Sequence, residues 1–191
     1  MFSMSSNLRN ALGILIIPVI CLLSVGCGSD NNLAGPEAES EPAPEIKTPK
    51  YMIVKHVSAR AFPHKKPNGD TWDWNPVSIL DEFPDVFARV GVKGKDASYR
   101  SETADDAQST DRPDLSTAHS SSPQKLPYKL SYSQSYTFSM HDDDGLTKDD
   151  KMGEKTIKPS GLYLKDNATS FNYTLECTNG VKLQITGSWE Y

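Results

Sequence analysis

An antiparallel β-sandwich is the fold that this sequence predicts for residues 50–191, on three observations. Apolar and polar side chains alternate in short runs, the period-two signature of half-buried strands. Pro, Gly, Asn or Asp bound each run. The chain also closes on two alternating runs joined through Asn179-Gly180, and Asn-Gly between such runs is the strongest short-range hairpin signal.

The elements follow in order. Tyr51 to Val57, Val86 to Val92 and Tyr136 to His141 read as strands, and Phe171 to Glu176 with Val181 to Trp189 reads as a C-terminal hairpin. Ser78 to Glu82 hints at a helical turn, confined by Pro76 and Pro84, so the sandwich is preferred to a mixed α/β fold. Ser101 to Pro123 is rich in Ser, Asp and Thr and reads as mostly loop, with room for one short strand. No internal repeat is present, and the length suits one domain with a single core.

The front of the chain has a different composition. Residues 1–26 carry Arg9 as their only basic side chain, then an apolar run from Ala11 to Leu23 interrupted by Pro18, then Ser24-Val25-Gly26. The run is shorter than the roughly 20 residues of a spanning helix and ends in small residues, so it reads as a secretory signal. The junction Leu23-Ser24-Val25-Gly26-Cys27 resembles a bacterial lipoprotein signal, which implies Cys27 as the lipidated N-terminus of the mature protein. Two or three acyl chains, at about 0.8 kcal/mol per buried methylene, anchor firmly where one is marginal. Gly28 is not the aspartate that retains such proteins at the inner membrane, which points to a cell-envelope address, outer-membrane or periplasm-facing. Residues 27–49 then form the anchor and a tether rich in Pro, Glu, Ala and Ser, too poor in large apolar groups to fold.

Removing residues 1–26 takes away Arg9 and no acid, which moves the formal net charge from −5 to −6. An acidic protein of this kind is a poor general ligand for nucleic acid or for a bare anionic membrane. With Cys21 in the signal and Cys27 on lipid, Cys177 is the one thiol of the domain, so an intrachain disulfide is excluded. Tyr173, Leu175 and Val181 around it predict a buried, inert thiol. The sequons at Asn167 and Asn172 would matter only in a eukaryotic secretory route, which the lipid signal argues against.

The most chemically pointed stretch is Met140 to Gly153, MHDDDGLTKDDKMG, where Asp142-x-Asp144 is followed after five residues by Asp150 and then Met152-Gly153. Carboxylates gathered on one loop repel unless a hard cation joins them, and calcium takes six to eight oxygens. Read as an EF-hand with Gly145 at position six, the loop would open on Met140 and close on Lys151, neither of which is a carboxylate. The bland alternative is a solvated charge run at a loop tip. A second loop, Pro67 to Asp85, carries Asp70, Asp73 and Asp81 and runs directly into the Val86 strand.

Together these residues resemble the C2 domain, a calcium-dependent lipid-binding β-sandwich. Pro84-Asp85-Val86-Phe87-Ala88-Arg89-Val90 looks like its SDPYVKV strand start, and the later loop follows its D-x-D-x5-D-x-[IM]-G pattern at Asp142, Asp144, Asp150, Met152 and Gly153. The resemblance implies eight strands, one or two calcium ions, and Asp85, Asp142, Asp144 and Asp150 as ligands. One more ligand is implied upstream of Asp85, for which Asp70, Asp73 and Asp81 are candidates. Asp73, within Trp72-Asp73-Trp74, is preferred. Trp72 and Trp74 then either meet a ligand or membrane, or clamp the loop to the sandwich edge.

Other chemistry has less support. His56, His64, His119 and His141 show no metal spacing and read as surface or strand residues. No nucleophile elbow, phosphate-binding glycine loop or dinucleotide fingerprint occurs, so the chain is not expected to be an enzyme. The expected function is a lipid-anchored envelope module that binds an anionic lipid head group or a protein partner through calcium. The alternative is a structural or assembly lipoprotein that meets envelope proteins without calcium.

Overall fold

A computed structural model of the chain describes residues 43–72, 83–144 and 148–191. Eight strands carry it: β1 (Tyr51–Ala61), β2 (Val86–Val92), β3 (Tyr99–Arg100), β4 (Tyr128–Ser131), β5 (Tyr136–Asp142), β6 (Asp150–Ile157), β7 (Ser170–Glu176) and β8 (Lys182–Glu190). They form two four-stranded antiparallel sheets, ordered β4-β1-β8-β7 and β3-β2-β5-β6, the all-β sandwich predicted from alternation.

The inner rows supply the core. Val86, Ala88 and Val90 of β2 and Phe138 and Met140 of β5 are buried with Leu183 and Ile185 of β8. Burial of each of these side chains other than that of Ala88 contributes about 1.5 to 3 kcal/mol. In β1 the inward row changes parity, from Met52 and Val54 to Val57 and Ala59, because the register with β8 shifts between Val54 and His56. An extra residue at a bulge turns every later side chain to the other face. The expected run to Val57 therefore continues to Ala61 with its phase reversed, which simple alternation does not reveal.

The terminal hairpin forms as expected. Cys177 N–H donates to the Val181 carbonyl at 2.8 Å, and Asn179 and Gly180 take φ of 56° and 76°. Both values lie in the left-handed region that Asn and Gly tolerate best. Strands β3, β4 and β6 are not apparent from the sequence. The stretch from Ser101 to Pro123 holds no named strand and is tied down by isolated bridges, Val86 to Ala104, Ser101 to Ala118 and Ser58 to Asp114. The proposed turn at Ser78 to Glu82 lies outside the described residues.

The last residues of the expected tether are held by the domain. Lys47 N–H donates to Asn167 Oδ1 at 2.9 Å, Asn167 Nδ2 donates to the Glu45 carbonyl at 3.2 Å, and Pro49 is buried. Residues before the expected boundary at residue 50 are thus bonded to the domain.

The register sets which ends coincide. Ala61 pairs with Lys182, Glu176 pairs with Lys182, Val86 pairs with Asp142, and Asp142 pairs with Asp150. The β1–β2 connection, the β5–β6 loop and the β7–β8 turn therefore share one pole, while Tyr51 opens β1 at the other.

Candidate functional site

At that pole the inner row of β5 runs Phe138, Met140, Asp142, so the strand's alternation carries a carboxylate beneath the rim of the core, where Asp142 is fully buried. A carboxylate out of water requires donors. Asp85 N–H donates to Asp142 Oδ1 at 2.9 Å, and Asp143 N–H donates to the Asp85 carbonyl at 2.8 Å. The two acidic loops, far apart in sequence, are thereby joined at one end of the sandwich. The Asp85 carboxylate accepts the Asp106 N–H at 2.7 Å. Burial raises its pKa above the ordinary value, Asp106 N–H works against this, and the charges of Asp105, Asp106 and Asp143 add to the rise.

Three basic side chains that the sequence reading did not single out answer the acidic cluster. Lys66 Nζ lies 2.6 Å from Asp150 Oδ2. Arg100 Nη2 donates to Asp143 Oδ2 at 2.7 Å, where Thr103 Oγ1 also donates at 2.9 Å. Arg89 pairs with Asp149. Burial of Lys66 lowers its proton affinity, but the hydrogen bond to Asp150 and the charges of Asp150, Asp144 and Asp142 outweigh burial and hold its pKa above the usual value. The Lys66 ammonium thus pairs with Asp150 and also feels the charges of Asp142 and Asp144.

A tight turn fixes that lysine. Lys66 N–H donates to the Asp70 carbonyl at 2.8 Å, and Gly69 N–H donates to the Lys66 carbonyl at 2.9 Å. The Asp70 carboxylate takes Asn68 Nδ2 at 2.6 Å, so it serves its own turn. The Lys66 ammonium stands 5.7 Å from the centre of the Trp72 ring, and Trp72 is buried with its Nε1 donating to the Pro63 carbonyl at 2.9 Å. Trp72 is accordingly a clamp of the loop.

Of the predicted site residues, Asp85, Asp142, Asp144 and Asp150 gather at this pole, whereas Asp73, with Asp81 and Trp74, and Cys27 lie outside the described residues. Among the described residues no group of three or more His, Cys, Asp or Glu side chains stands close enough to hold a metal ion. The acidic side chains at this pole offer carboxylate oxygens, the donor type a hard cation takes, and the Lys66 ammonium pairs with that of Asp150.

The Met152-Gly153 pair has a packing reason. The β5–β6 register shifts beside Met140 and His141, leaving Met152 as the extra residue, fully buried. A Cβ on Gly153 would stand 2.4 Å from the Thr178 carbonyl oxygen and 2.9 Å from Val181 Cβ. Asn179 Nδ2 donates to the Met152 carbonyl at 2.9 Å and Glu154 N–H to Thr178 Oγ1 at 3.0 Å. This contact locks the β7–β8 turn to the acidic loop and borders a hollow of ≈ 320 Å³ lined by Lys66, Asn68, Trp72, Asp150, Lys151 and Asn179.

On the outer face of the same sheet Phe87 is fully buried under Arg100, 4.0 Å from its ring centre, and stacks on His141 at 5.3 Å. Of the two expected placements, surface or strand, His141 takes the strand one and is buried: it is 8 % exposed, Ser139 Oγ bonds its Nε2 at 2.9 Å, and Nδ1 finds no hydrogen-bond partner among the described residues. Burial, then the charges of Arg89, Lys151 and Arg100, lower its pKa to about 4.

Two other groupings resolve into structure. Ser116 Oγ and Asp114 Oδ1 both approach His56 Nδ1, at 2.7 and 3.5 Å, so the carboxylate does not orient the imidazole from its other nitrogen as a catalytic triad requires. Ser116 Oγ instead takes Val57 N–H at 3.0 Å and donates to the Val57 carbonyl at 3.1 Å. Cys177 is half-buried, less enclosed than expected, and burial still pushes its thiol up to about 11.

No protein-family model matches the chain, and no curated protein matches it in sequence. Among solved structures it is similar to human GIVD cytosolic phospholipase A2 in complex with methyl gamma-linolenyl fluorophosphonate, at a TM-score of 0.49 and 14% identity over 76% of this chain and 18% of that one. It is similar to a C2 domain of plant extended synaptotagmin 1, at a TM-score of 0.47 and 15% identity over 75% of this chain and 97% of that one. The calcium-bound pair of C2 domains of extended synaptotagmin 2 gives a TM-score of 0.49 and 16% identity over 74% of this chain and 46% of that one. The chain spans less than a fifth of the length of the phospholipase it matches.

Proposed function

We propose that this protein is a calcium-responsive binding module of the bacterial cell envelope, tethered through Cys27 and engaging an anionic lipid head group or an envelope protein at its acidic pole. The observation that supports the reading is the joining of the two acidic loops at one pole, where the Asp85 N–H donates to the buried Asp142 carboxylate and the Asp143 N–H to the Asp85 carbonyl. Asp142, Asp144 and Asp150, with Asp85 and Asp73, would hold one or two calcium ions, which supply the positive charge that an anionic partner needs. Asp85 N–H fixes Asp142 in place before any ion arrives, and the Gly153 contact with Thr178 holds the loop root against the second sheet. Lipid anchoring and the envelope address rest on the Leu23 to Cys27 junction and the composition of residues 28–49.

The test is thermal unfolding of the full chain with calcium and with chelator. Extracellular modules bind calcium at about 10⁻⁴ to 10⁻³ M, and ligand at 100 times Kd stabilises by about 2.7 kcal/mol. The melting temperature is expected to rise with calcium in the millimolar range, and the Asp144→Asn, Asp150→Asn double variant to lose the response. These positions suit the test better than Asp142, which the fold itself uses. A melting curve insensitive to calcium would reject the reading.

The pairs Arg100 with Asp143, Arg89 with Asp149 and Lys66 with Asp150 favour a second reading, in which the pole is already compensated and the sandwich meets an envelope protein without calcium. An unchanged melt together with a stoichiometric co-purifying partner would support it.

A further inference from the structure

We infer that the pole where the chain enters the sandwich is a lipid-docking surface: Ile46 and Leu164 dip into a bilayer, with Lys47 and Lys165 beside them against anionic head groups. That surface relies on the proposed Cys27 anchor to bring the bilayer within reach, and lies at the other end of the domain from the acidic pole.

Ile46 and Leu164, 58% and 76% exposed, are the large apolar side chains that stand in water among the described residues. Apolar groups scattered singly over a surface need no explanation. These two instead lie on segments bonded to each other. Lys47 N–H donates to Asn167 Oδ1 at 2.9 Å, and Asn167 Nδ2 donates to the Glu45 carbonyl at 3.2 Å, so one side chain grips the backbone on both sides of Ile46. Tyr163, next to Leu164, donates its hydroxyl to the Lys47 carbonyl at 3.2 Å. Beneath, the buried Tyr163 and Trp189 rings meet edge-on at 5.2 Å, and Tyr191 OH donates to the Ala168 carbonyl at 2.7 Å, which gives both segments a packed aromatic floor.

Charge is sorted to the same end. Segments 43–50 and 158–169 carry Lys47, Lys50, Lys158 and Lys165 against Glu45 and Asp166, a local excess of cations in a chain of net charge −5. All four lysines are exposed, and none pairs with an acid among the described residues, while the neighbouring Glu190 is taken by Lys129. Backbone bonds gather the segments: Lys50 N–H donates to the Glu190 carbonyl at 2.7 Å, Tyr132 N–H to the Lys50 carbonyl at 2.9 Å, and Ser160 N–H to the Tyr132 carbonyl at 3.0 Å. Apolar tips flanked by lysines suit a membrane interface, where the tips enter the acyl boundary and the ammonium groups stay among the head groups. A stable protein partner would need a far larger apolar area than two side chains offer.

The chain ahead of this pole supplies the bilayer. From Cys27 to Ala43 is sixteen residues, which reach at most about 55 Å. An anchored chain thus holds the pole against its own membrane at high effective concentration, where two tips and a few lysines suffice. Strand β1, 11 residues long, then runs about 35 Å away from the pole and carries the acidic loops outward.

The experiment is acetylation of the full chain, purified from a bacterial envelope, in chelator with and without vesicles of equal parts phosphatidylcholine and phosphatidylglycerol, read lysine by lysine by mass spectrometry. Acetylation needs the free amine, which an anionic surface depletes at a nearby lysine by about fivefold. Lys47 and Lys165 are expected to slow by that factor on vesicles, while Lys151 at the acidic pole keeps its rate. The Ile46→Ser, Leu164→Ser double variant alters exposed side chains alone and is expected to lose the protection. Unchanged rates at Lys47 and Lys165, slowing at Lys151 in their place, or full protection in the double variant would overturn the lipid-docking role. The mass of the Cys27 peptide separates this from the anchor: acyl chains on Cys27 with unprotected lysines would leave the anchor and remove the surface, whereas bare Cys27 with Lys47 and Lys165 protected would remove the anchor and support the surface.

Discussion

Replacing Asp142 with alanine tests whether the acidic pole is held by hydrogen bonding independently of any ion. The carboxylate is fully buried, and its Oδ1 takes the Asp85 N–H at 2.9 Å. A hydrogen bond to a charged group contributes about 1.5 to 3 kcal/mol, and its loss strands the donor left behind. Removal of one negative charge beside Asp144 and Asp150 offsets part of this. The balance is a loss of about 2 kcal/mol, which for a domain of this size lowers the melting temperature by roughly 4 to 8 °C. Asp142→Asn keeps an acceptor oxygen and is expected to fall between alanine and wild type. The assay is thermal unfolding in chelator at neutral pH, followed by far-ultraviolet circular dichroism. An alanine variant melting within about 1 °C of wild type would refute the claim that Asp142 buttons the two loops together.

Two further outcomes follow from the packing around the pole. Gly153→Ala forces a Cβ to within 2.4 Å of the Thr178 carbonyl oxygen, a backbone atom with little freedom to retreat. A loss of about 1 to 3 kcal/mol is expected in chemical denaturation, the range for overpacking, and an unchanged midpoint would show that the β7–β8 turn moves freely. The folded His141 imidazole titrates near pH 4, below its unfolded value of 6.5, so between those values the unfolded chain binds the extra proton. Stability should therefore fall as pH drops through that window, by up to about 3 kcal/mol, and level off below it. His141→Gln should flatten this part of the profile, and an identical profile in the variant would assign the pH dependence to other groups.

The strands that the sequence reveals are those with clean alternation, Val86 to Val92 and Tyr136 to His141, together with the hairpin around Asn179-Gly180. Strand β6 escapes because Lys151, Glu154 and Lys155 break its apolar row and Met152 sits at a bulge. The phase reversal in β1 escapes for a related reason: an extra residue carries no composition of its own. At the pole, the spacing Asp142-x-Asp144-x5-Asp150 identifies the loop, and the alternation Phe138, Met140, Asp142 already implies that one carboxylate faces inward. Lys66 is hidden because it belongs to a Lys-Lys-Pro-Asn-Gly turn that reads as ordinary solvated loop.

Sequence by itself determines the β class, the acidic loop and the strands of clean alternation, because alternation, turn residues and charge spacing act over a few neighbours. Tertiary structure alone decides that Asp85 caps Asp142, that Arg100 goes to Asp143, and that Lys66 takes Asp150. Hydrogen bonds and ion pairs act over a few ångströms, and only the packing of two sheets brings those distant residues within that range.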